Sequence, residues 1–192
     1  MRSLMKLPDN LPVPVDDGSC DHLQGANIPS IEMQTTQGRF VNLKDITQVS
    51  TVIFFYPRTG EPNKPVPPDW DLIPGARGCT PQSCGFRDLY QEFKSMGFQI
   101  FGASTQETSY QQEFISRSHI PFEILSDKDY QLTEALHLPT FTYGGIRLLK
   151  RMAWILKNGK IVKVFYPIFP PNTCAETVLN WILKNDPPRP RF

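Results

Sequence analysis

The chain has 192 residues, 40% of them apolar, enough for one globular domain that buries about 70% of the surface its unfolded form would expose. A formal net charge of +1 and the absence of any basic run give no electrostatic basis for a nucleic acid or a lipid surface as partner. The longest apolar run, Val52 to Tyr56, is far too short to cross a bilayer, and Pro8, Asp9, Pro12, Pro14 and Asp16 interrupt any signal-like stretch, so a cytoplasmic protein is expected.

Residues 1–27 carry proline and aspartate without periodicity and read as an extended arm. Cys20 and His22 fall in a turn-rich part of it, and their spacing matches no metal-ligand pattern, so both are taken as loop residues. Ile31 to Gln34 and Phe40 to Leu43 flank Thr35-Thr36-Gln37-Gly38, a hairpin signal. Thr51 to Tyr56 is continuous, β-rich and apolar, as for a strand covered on both faces. Residues 57–77 are rich in proline and contain a lone Trp70; a loop of this length without secondary structure reads as a functional rim or lid, or as a disordered insertion.

The next stretch, Gly78-Cys79-Thr80-Pro81-Gln82-Ser83-Cys84-Gly85-Phe86-Arg87, is where the chemistry concentrates. Pro81 suits a first helical turn, Thr80 is read as the cap, and Phe86, Leu89, Tyr90, Phe93 and Met96 recur at helical spacing until Gly97. Cys79 then sits at a helix N-terminus, where free N–H groups and the macrodipole favour the reactive thiolate, with Arg77 and Arg87 as possible additions. If both cysteines are helical, their Cα atoms lie roughly 8 to 9 Å apart, beyond the limit of about 7 Å for a disulfide. The intervening loop closes only if the first turns unravel, so the pair suits a cycle and not a staple. Four cysteines in a cytosolic chain point the same way, because thiols there are kept reduced.

Downstream, Phe98 to Ser104 reads as a second buried strand, and Thr108-Ser109-Tyr110-Gln111 as a capping box opening a helix. Pro121 to Leu125 is a short strand, followed by a helix over about Asp129 to Leu138; His119 and His137 near helix ends read as solvated or capping residues. Asn158-Gly159 between Met152 to Leu156 and Ile161 to Phe165 is a strong hairpin signal. The last helix opens with a second capping box, Thr173-Cys174-Ala175-Glu176, in which Cys174 reads as a small buried residue, with an activated thiol in the first turn as the other reading. Residues 186–192 are expected to form a flexible tail, and residues 1–192 a single domain. The order of elements implies an α/β thioredoxin-like fold: a mostly parallel central sheet with an N-terminal hairpin and a C-terminal antiparallel hairpin, flanked by helices. Cys79 follows the carboxyl end of a strand, where sites of open α/β sheets lie.

Gly78 to Asp88, preceded by Phe55-Tyr56-Pro57, resembles the active-site motif of the Q-type peroxiredoxins, also called bacterioferritin comigratory proteins. Further blocks, among them Phe101-Gly102-Ala103-Ser104, Arg151-Met152-Ala153-Trp154-Ile155 and Val178-Leu179-Asn180-Trp181, extend the resemblance over residues 16–184. It implies a thiol-dependent peroxidase acting on hydrogen peroxide and organic hydroperoxides. Cys79 would be the peroxidatic thiol that becomes a sulfenic acid, and Cys84 the resolving thiol that forms a disulfide with it. Arg151 would orient the peroxide, and thioredoxin or a similar dithiol would be the reductant. No cofactor and no metal are implied, and a monomer is expected, with weak dimerisation as the other outcome. The family's Pro-x-x-x-Thr-x-x-Cys pattern is broken, since Ala76 stands where the threonine would be and an insertion follows Tyr56-Pro57. Thr59, with Pro57, is the candidate to supply the missing substrate-binding hydroxyl. Two other classes carry the same features: a thiol-disulfide oxidoreductase, which would normally show Cys-x-x-Cys, and a redox sensor without turnover.

Overall fold

The computed structural model describes residues 4–61 and 63–186, so Pro62 and residues 187–192 of the expected tail lie outside the described residues. Its centre is β3 (Thr51–Phe55), in which all five residues are buried. Alternation along the strand sends Val52 and Phe54, with Tyr56 beyond, to one apolar layer, and Ile53 and Phe55 to the other. The first layer is covered by α2 (Cys79–Asp88), α3 (Tyr90–Ser95), α4 (Thr108–Ser118) and α6 (Cys174–Asn185), through residues such as Phe86, Phe93, Phe114 and Val178. The second is closed by α1 (Leu43–Ile46), α5 (Gln131–Ala135) and the N-terminal arm, through Leu43, Leu132 and Leu23.

Seven strands form one sheet in the order β2-β1-β5-β4-β3-β8-β9, with β1 Glu32–Thr35, β2 Phe40–Asn42, β4 Gln99–Ser104, β5 Glu123–Ser126, β8 Met152–Lys157 and β9 Lys160–Phe165. The central trio β5, β4 and β3 is parallel; the expected hairpins β1-β2 and β8-β9 join its two edges in antiparallel fashion. Asn158 and Gly159 both have positive φ, as a two-residue turn at this hairpin requires. Residues 4–27 run through turns and irregular backbone, with an isolated bridge from Asn27 to Lys160.

Four local expectations differ from the structure. The helix after Cys79 is broken at Leu89 (φ −100°, ψ 13°). A straight helix would hold Phe86 and Phe93 about 10 Å apart along its axis; the break lets their ring centroids meet at 5.7 Å. Neither capping box forms. Thr108 lies inside α4, where its hydroxyl donates to Gln34 Oε1 at 3.0 Å, while Gln111 Nε2 donates to Ser104 Oγ and the Leu125 carbonyl. Thr173 has αR dihedrals, not the extended ones a cap needs, and its hydroxyl turns back to the Pro170 carbonyl. Thr80 is not the cap of α2; that position belongs to Gly78.

The sequence reading also passed over a second sheet, β6 (Thr140–Tyr143) with β7 (Ile146–Leu149), joined by Gly144-Gly145. The proline-rich insertion packs against it: a single 3-10 turn, Trp70–Leu72, sets the buried Trp70 with Ala76 and Leu148 in a satellite cluster. Among the described residues of the insertion, Trp70 and Ala76 are thus packed against β7 through Leu148.

Phe86 stacks on Phe54 (centroids 4.3 Å, 8° between planes) with no exposure of either ring. Phe86→Ala is expected to destabilise the fold by about 3–5 kcal/mol, the usual range for deleting a buried aromatic ring. Denaturant unfolding followed by circular dichroism measures it, and a loss below about 1 kcal/mol would mean that the stack contributes little.

Candidate active site

Gly78 begins the site. Its φ of 105° is a left-handed conformation that suits glycine, and a Cβ there would overlap Pro171 Cγ. The chain then enters α2 with Cys79 as first residue; the Gln82 N–H donates to the Gly78 carbonyl, and Pro81 falls where its missing N–H has no intrahelical acceptor. Cys79 is 4% exposed, and its Sγ lies 3.7 Å from the Ala76 carbonyl oxygen. The N-terminal position expected for this thiol is thus observed, two positions further into the helix than a cap at Thr80 would put it.

Sheet register brings Arg151 to the same place. β8 runs antiparallel to β3 with Met152 opposite Phe55, so the residue before Met152 sits at the carboxyl end of β3, beside the entrance to α2. Arg151 is 3% exposed, and its Nη2 is 3.3 Å from Cys79 Sγ. The same nitrogen faces the carbonyl oxygens of Gly75 (3.2 Å), Ala76 (3.2 Å) and Arg77 (3.1 Å), while Nη1 donates to Gln82 Oε1. Among the described residues no carboxylate pairs with this buried guanidinium. Backbone carbonyls fix its plane, and the sulfur is the nearest group able to carry a full negative charge. Ala76 thus takes part through its carbonyl, in place of the hydroxyl that a threonine would offer.

The other arginines do other work. Arg77 donates to Asp71 at 3.4 Å and to the Lys6 carbonyl at 3.3 Å; Arg87 donates to Asp88 and to the Ser118 carbonyl. Burial pushes the Cys84 thiol up, with the Arg87 charge acting in the opposite direction, so Arg87 belongs to the second cysteine. Cys84 is 3% exposed, with Met5 Sδ 3.8 Å from its Sγ. Both thiols are free and both lie within α2, so helical geometry keeps their Cα atoms about 8 Å apart.

Cys79 opens onto a cavity of about 510 Å³, lined also by Thr80, Arg58, Trp70 and Leu148. Thr59 and Pro57 are not in that lining. Thr59 is buried; its N–H and hydroxyl lie 3.0 and 3.3 Å from Gln106 Oε1, and its carbonyl accepts from Tyr110 Oη at 3.0 Å. The structure therefore brings Cys79, Cys84 and Arg151 onto one helix entrance but ties Thr59 to Gln106. Thr80 and Thr105 are the threonines that line the cavity with Cys79.

Gln82 was not anticipated. It is fully buried, accepts from Arg151 and donates from Nε2 to Cys174 Sγ at 3.5 Å. Its only sequence signal is its place one helical turn after Cys79. Cys174 is the buried residue expected: burial pushes its thiol up to about 12, and that of Cys20 likewise, Cys20 Sγ lying 3.9 Å from Met152 Sδ. His22 Nε2 contacts the Leu136 carbonyl, and the described residues hold no cluster of three or more His, Cys, Asp or Glu suited to a metal.

Native protein treated with iodoacetamide at pH 8 is accordingly expected to keep Cys20 and Cys174 unmodified, while denatured protein is alkylated at both; peptide mass spectrometry distinguishes the two. A folded-state value of about 12 against an ordinary 9.0 gives the sign for stability. The contribution of the buried neutral Cys174 thiol is fully present below pH 9 and is lost as pH rises towards 12. Native alkylation of Cys174 at pH 8 would contradict this.

A parallel strand pair ending beside a helix-borne thiol, with an antiparallel strand delivering an arginine to the sulfur, defines a thioredoxin-like protein of the thiol redox class. Residues 23–180 match the Redoxin family, and the chain belongs to it. Peroxiredoxin Bcp of Escherichia coli K12 is 30% identical over 161 residues, covering 80% of this chain and 91% of its own. The chloroplastic peroxiredoxin Q of Oryza sativa subsp. japonica is 28% identical over 143 residues, covering 74% of this chain; the chain spans only 58% of that relative's length. The crystal structure of peroxidoxin BcpB from Mycobacterium tuberculosis superimposes with a TM-score of 0.68 at 21% identity, over 85% of this chain and 97% of that one, and shares the fold. Among the described residues no helix is long and apolar enough to cross a membrane.

Proposed function

We propose that the protein is a thiol-dependent peroxidase. The observation that carries this reading is Arg151 Nη2 at 3.3 Å from Cys79 Sγ, at a helix N-terminus and on the wall of a cavity. The Cys79 thiolate attacks the terminal oxygen of a hydroperoxide; the O–O bond breaks, sulfur is oxidised to sulfenic acid, and the leaving oxygen departs as alcohol or water after taking a proton. Arg151 and the first N–H groups of α2 are donors fixed in advance for negative charge passing from sulfur to oxygen. Cys84 then displaces hydroxide from the sulfenic sulfur, forming a Cys79 to Cys84 disulfide and water once a proton is taken up.

Thioredoxin or a similar dithiol would restore both thiols. The two apolar layers on one sheet support a single domain. A reducing compartment such as the cytoplasm suits the free thiols of the resting state. A thioredoxin-type oxidoreductase is less well served, because its two sulfurs must meet without melting a helix. The test is rapid-mixing oxidation of the reduced protein by hydrogen peroxide, with turnover measured in the presence of thioredoxin and its reductase. Consumption of peroxide in proportion to protein oxidised supports the reading; reduction of disulfides without peroxide consumption overturns it.

A further inference from the structure

Four consecutive residues of the N-terminal arm lie across the entrance of α2. Leu4 lines the cavity together with Cys79 and packs against Gly60, where a Cβ would come within 2.8 Å of Leu4 Cδ2. Met5 Sδ is 3.8 Å from Cys84 Sγ. The Lys6 carbonyl accepts from Arg77 Nη2 at 3.3 Å, and the same guanidinium donates to Asp71 of the proline-rich insertion at 3.4 Å. Leu7 closes over Gly78, its Cδ2 3.1 Å from the position a Cβ would take there.

These contacts bracket the turns that separate the two thiols: Arg77 and Gly78 precede Cys79, and Cys84 ends the stretch. For a disulfide to form, Cα atoms about 8 Å apart must come within about 7 Å, so these turns open and the Cys84 sulfur leaves Met5. Phe86, stacked on Phe54, holds the following turn to the core, and the displacement falls on the segment under the arm. Each contact that the arm makes with the closed helix and loses in the open one lowers the open population. Met5 and Leu7 are not in the cavity lining, so their contacts bear on this opening and not on the encounter of Cys79 with peroxide.

We infer that residues 4–7 form a strap that sets the rate of the resolving step, with Met5 as the positioning residue that keeps the Cys84 sulfur in its closed-helix place. The inference rests on the peroxidase reading above. In the resolving step the two sulfurs bond, the S–O bond of the sulfenic acid breaks, and the oxygen leaves as water with the Cys84 proton. A strap that delays this step prolongs the life of the sulfenic acid, and a second peroxide then oxidises it to sulfinic acid.

The test follows Met5→Ala, Leu7→Ala and Met5→Leu in the full chain by rapid mixing with hydrogen peroxide, quenching and mass spectrometry. This separates formation of the sulfenic acid from formation of the disulfide. Met5→Ala should form the Cys79 to Cys84 disulfide about fivefold faster, the scale on which one lost contact moves an opening equilibrium. Leu7→Ala should act in the same direction. Both should leave the second-order rate of sulfenic acid formation at the wild-type value and lower the yield of sulfinic acid under excess peroxide. Met5→Leu, which restores the bulk over Cys84, should return the disulfide step to the wild-type rate. A disulfide step unchanged or slower in both alanine variants overturns the strap and, with peroxide still consumed, leaves the peroxidase reading standing. Equal acceleration of both steps also overturns it, because the arm then acts on the cavity. No peroxide consumption by the wild type removes both.

Discussion

Arg151→Ala is expected to slow oxidation of Cys79 by hydrogen peroxide about 10²- to 10³-fold, the effect of removing one preorganised donor from a site of developing negative charge. The geometry behind this is a single nitrogen, Nη2, shared by the sulfur and a fan of three carbonyl oxygens from residues 75–77. Those carbonyls do not reorganise as charge moves, so the guanidinium is already in place when the O–O bond breaks. The alanine variant also strips buried carbonyls of a donor, which is why Arg151→Lys belongs beside it: lysine restores a charge but not the planar fork. A rate much closer to wild type in the lysine variant would assign the effect to charge; equal loss in both would assign it to the fork. Unchanged peroxide kinetics in a folded Arg151→Ala protein would remove Arg151 from the chemistry.

Cys84→Ser is expected to abolish turnover with thioredoxin while leaving one rapid equivalent of peroxide consumed. The variant should accumulate Cys79 sulfenic acid, trappable with dimedone, and progress to sulfinic acid under excess peroxide. In the wild type, mass spectrometry after one equivalent of peroxide should find Cys79 linked to Cys84. For that bond to form, the first turns of α2 must open, since a ten-residue helix holds both cysteines. Cys174 lies on a different helix, with Gln82 Nε2 donating to its Sγ and burial raising its thiol to about 12, so Cys84 is the proposed partner. A dominant Cys79 to Cys174 or intermolecular link would refute Cys84 as the resolving thiol.

Much of this was legible where the signal is local. The buried run at β3, the Asn158-Gly159 turn and the thiol beside Pro81 depend on neighbouring residues, and each is found where expected. Capping boxes are local too, yet both failed: Thr108 lies inside α4, with Glu107 at the cap, and Thr173 takes αR dihedrals, so neither hydroxyl accepts from its own helix and each donates instead to Gln34 or the Pro170 carbonyl. The β6-β7 hairpin was missed although Gly144-Gly145 between two β-rich runs announces it. Thr59 illustrates the limit at the site. Proximity to Pro57 suggested a hydroxyl for the substrate, but Gln106, 47 positions later, takes it. Gln82 matters through contacts with Arg151 and Cys174 that only the folded chain creates.

The stack of Phe86 on Phe54 anchors the second half of α2 to the core. It lies two residues past Cys84, so the helical hydrogen bonds that the proposed disulfide would give up belong to the first turns. In the proposed cycle the reduction potential of the pair would be a property of the helix: the dithiol form keeps its backbone bonds and the oxidised form would give some up, so every 1.4 kcal/mol of that difference would raise the two-electron potential by about 30 mV. A substitution that strengthens the first turn of α2 should make the disulfide a stronger oxidant towards its reductant, and one that weakens the turn should make it harder to reduce, without touching either sulfur.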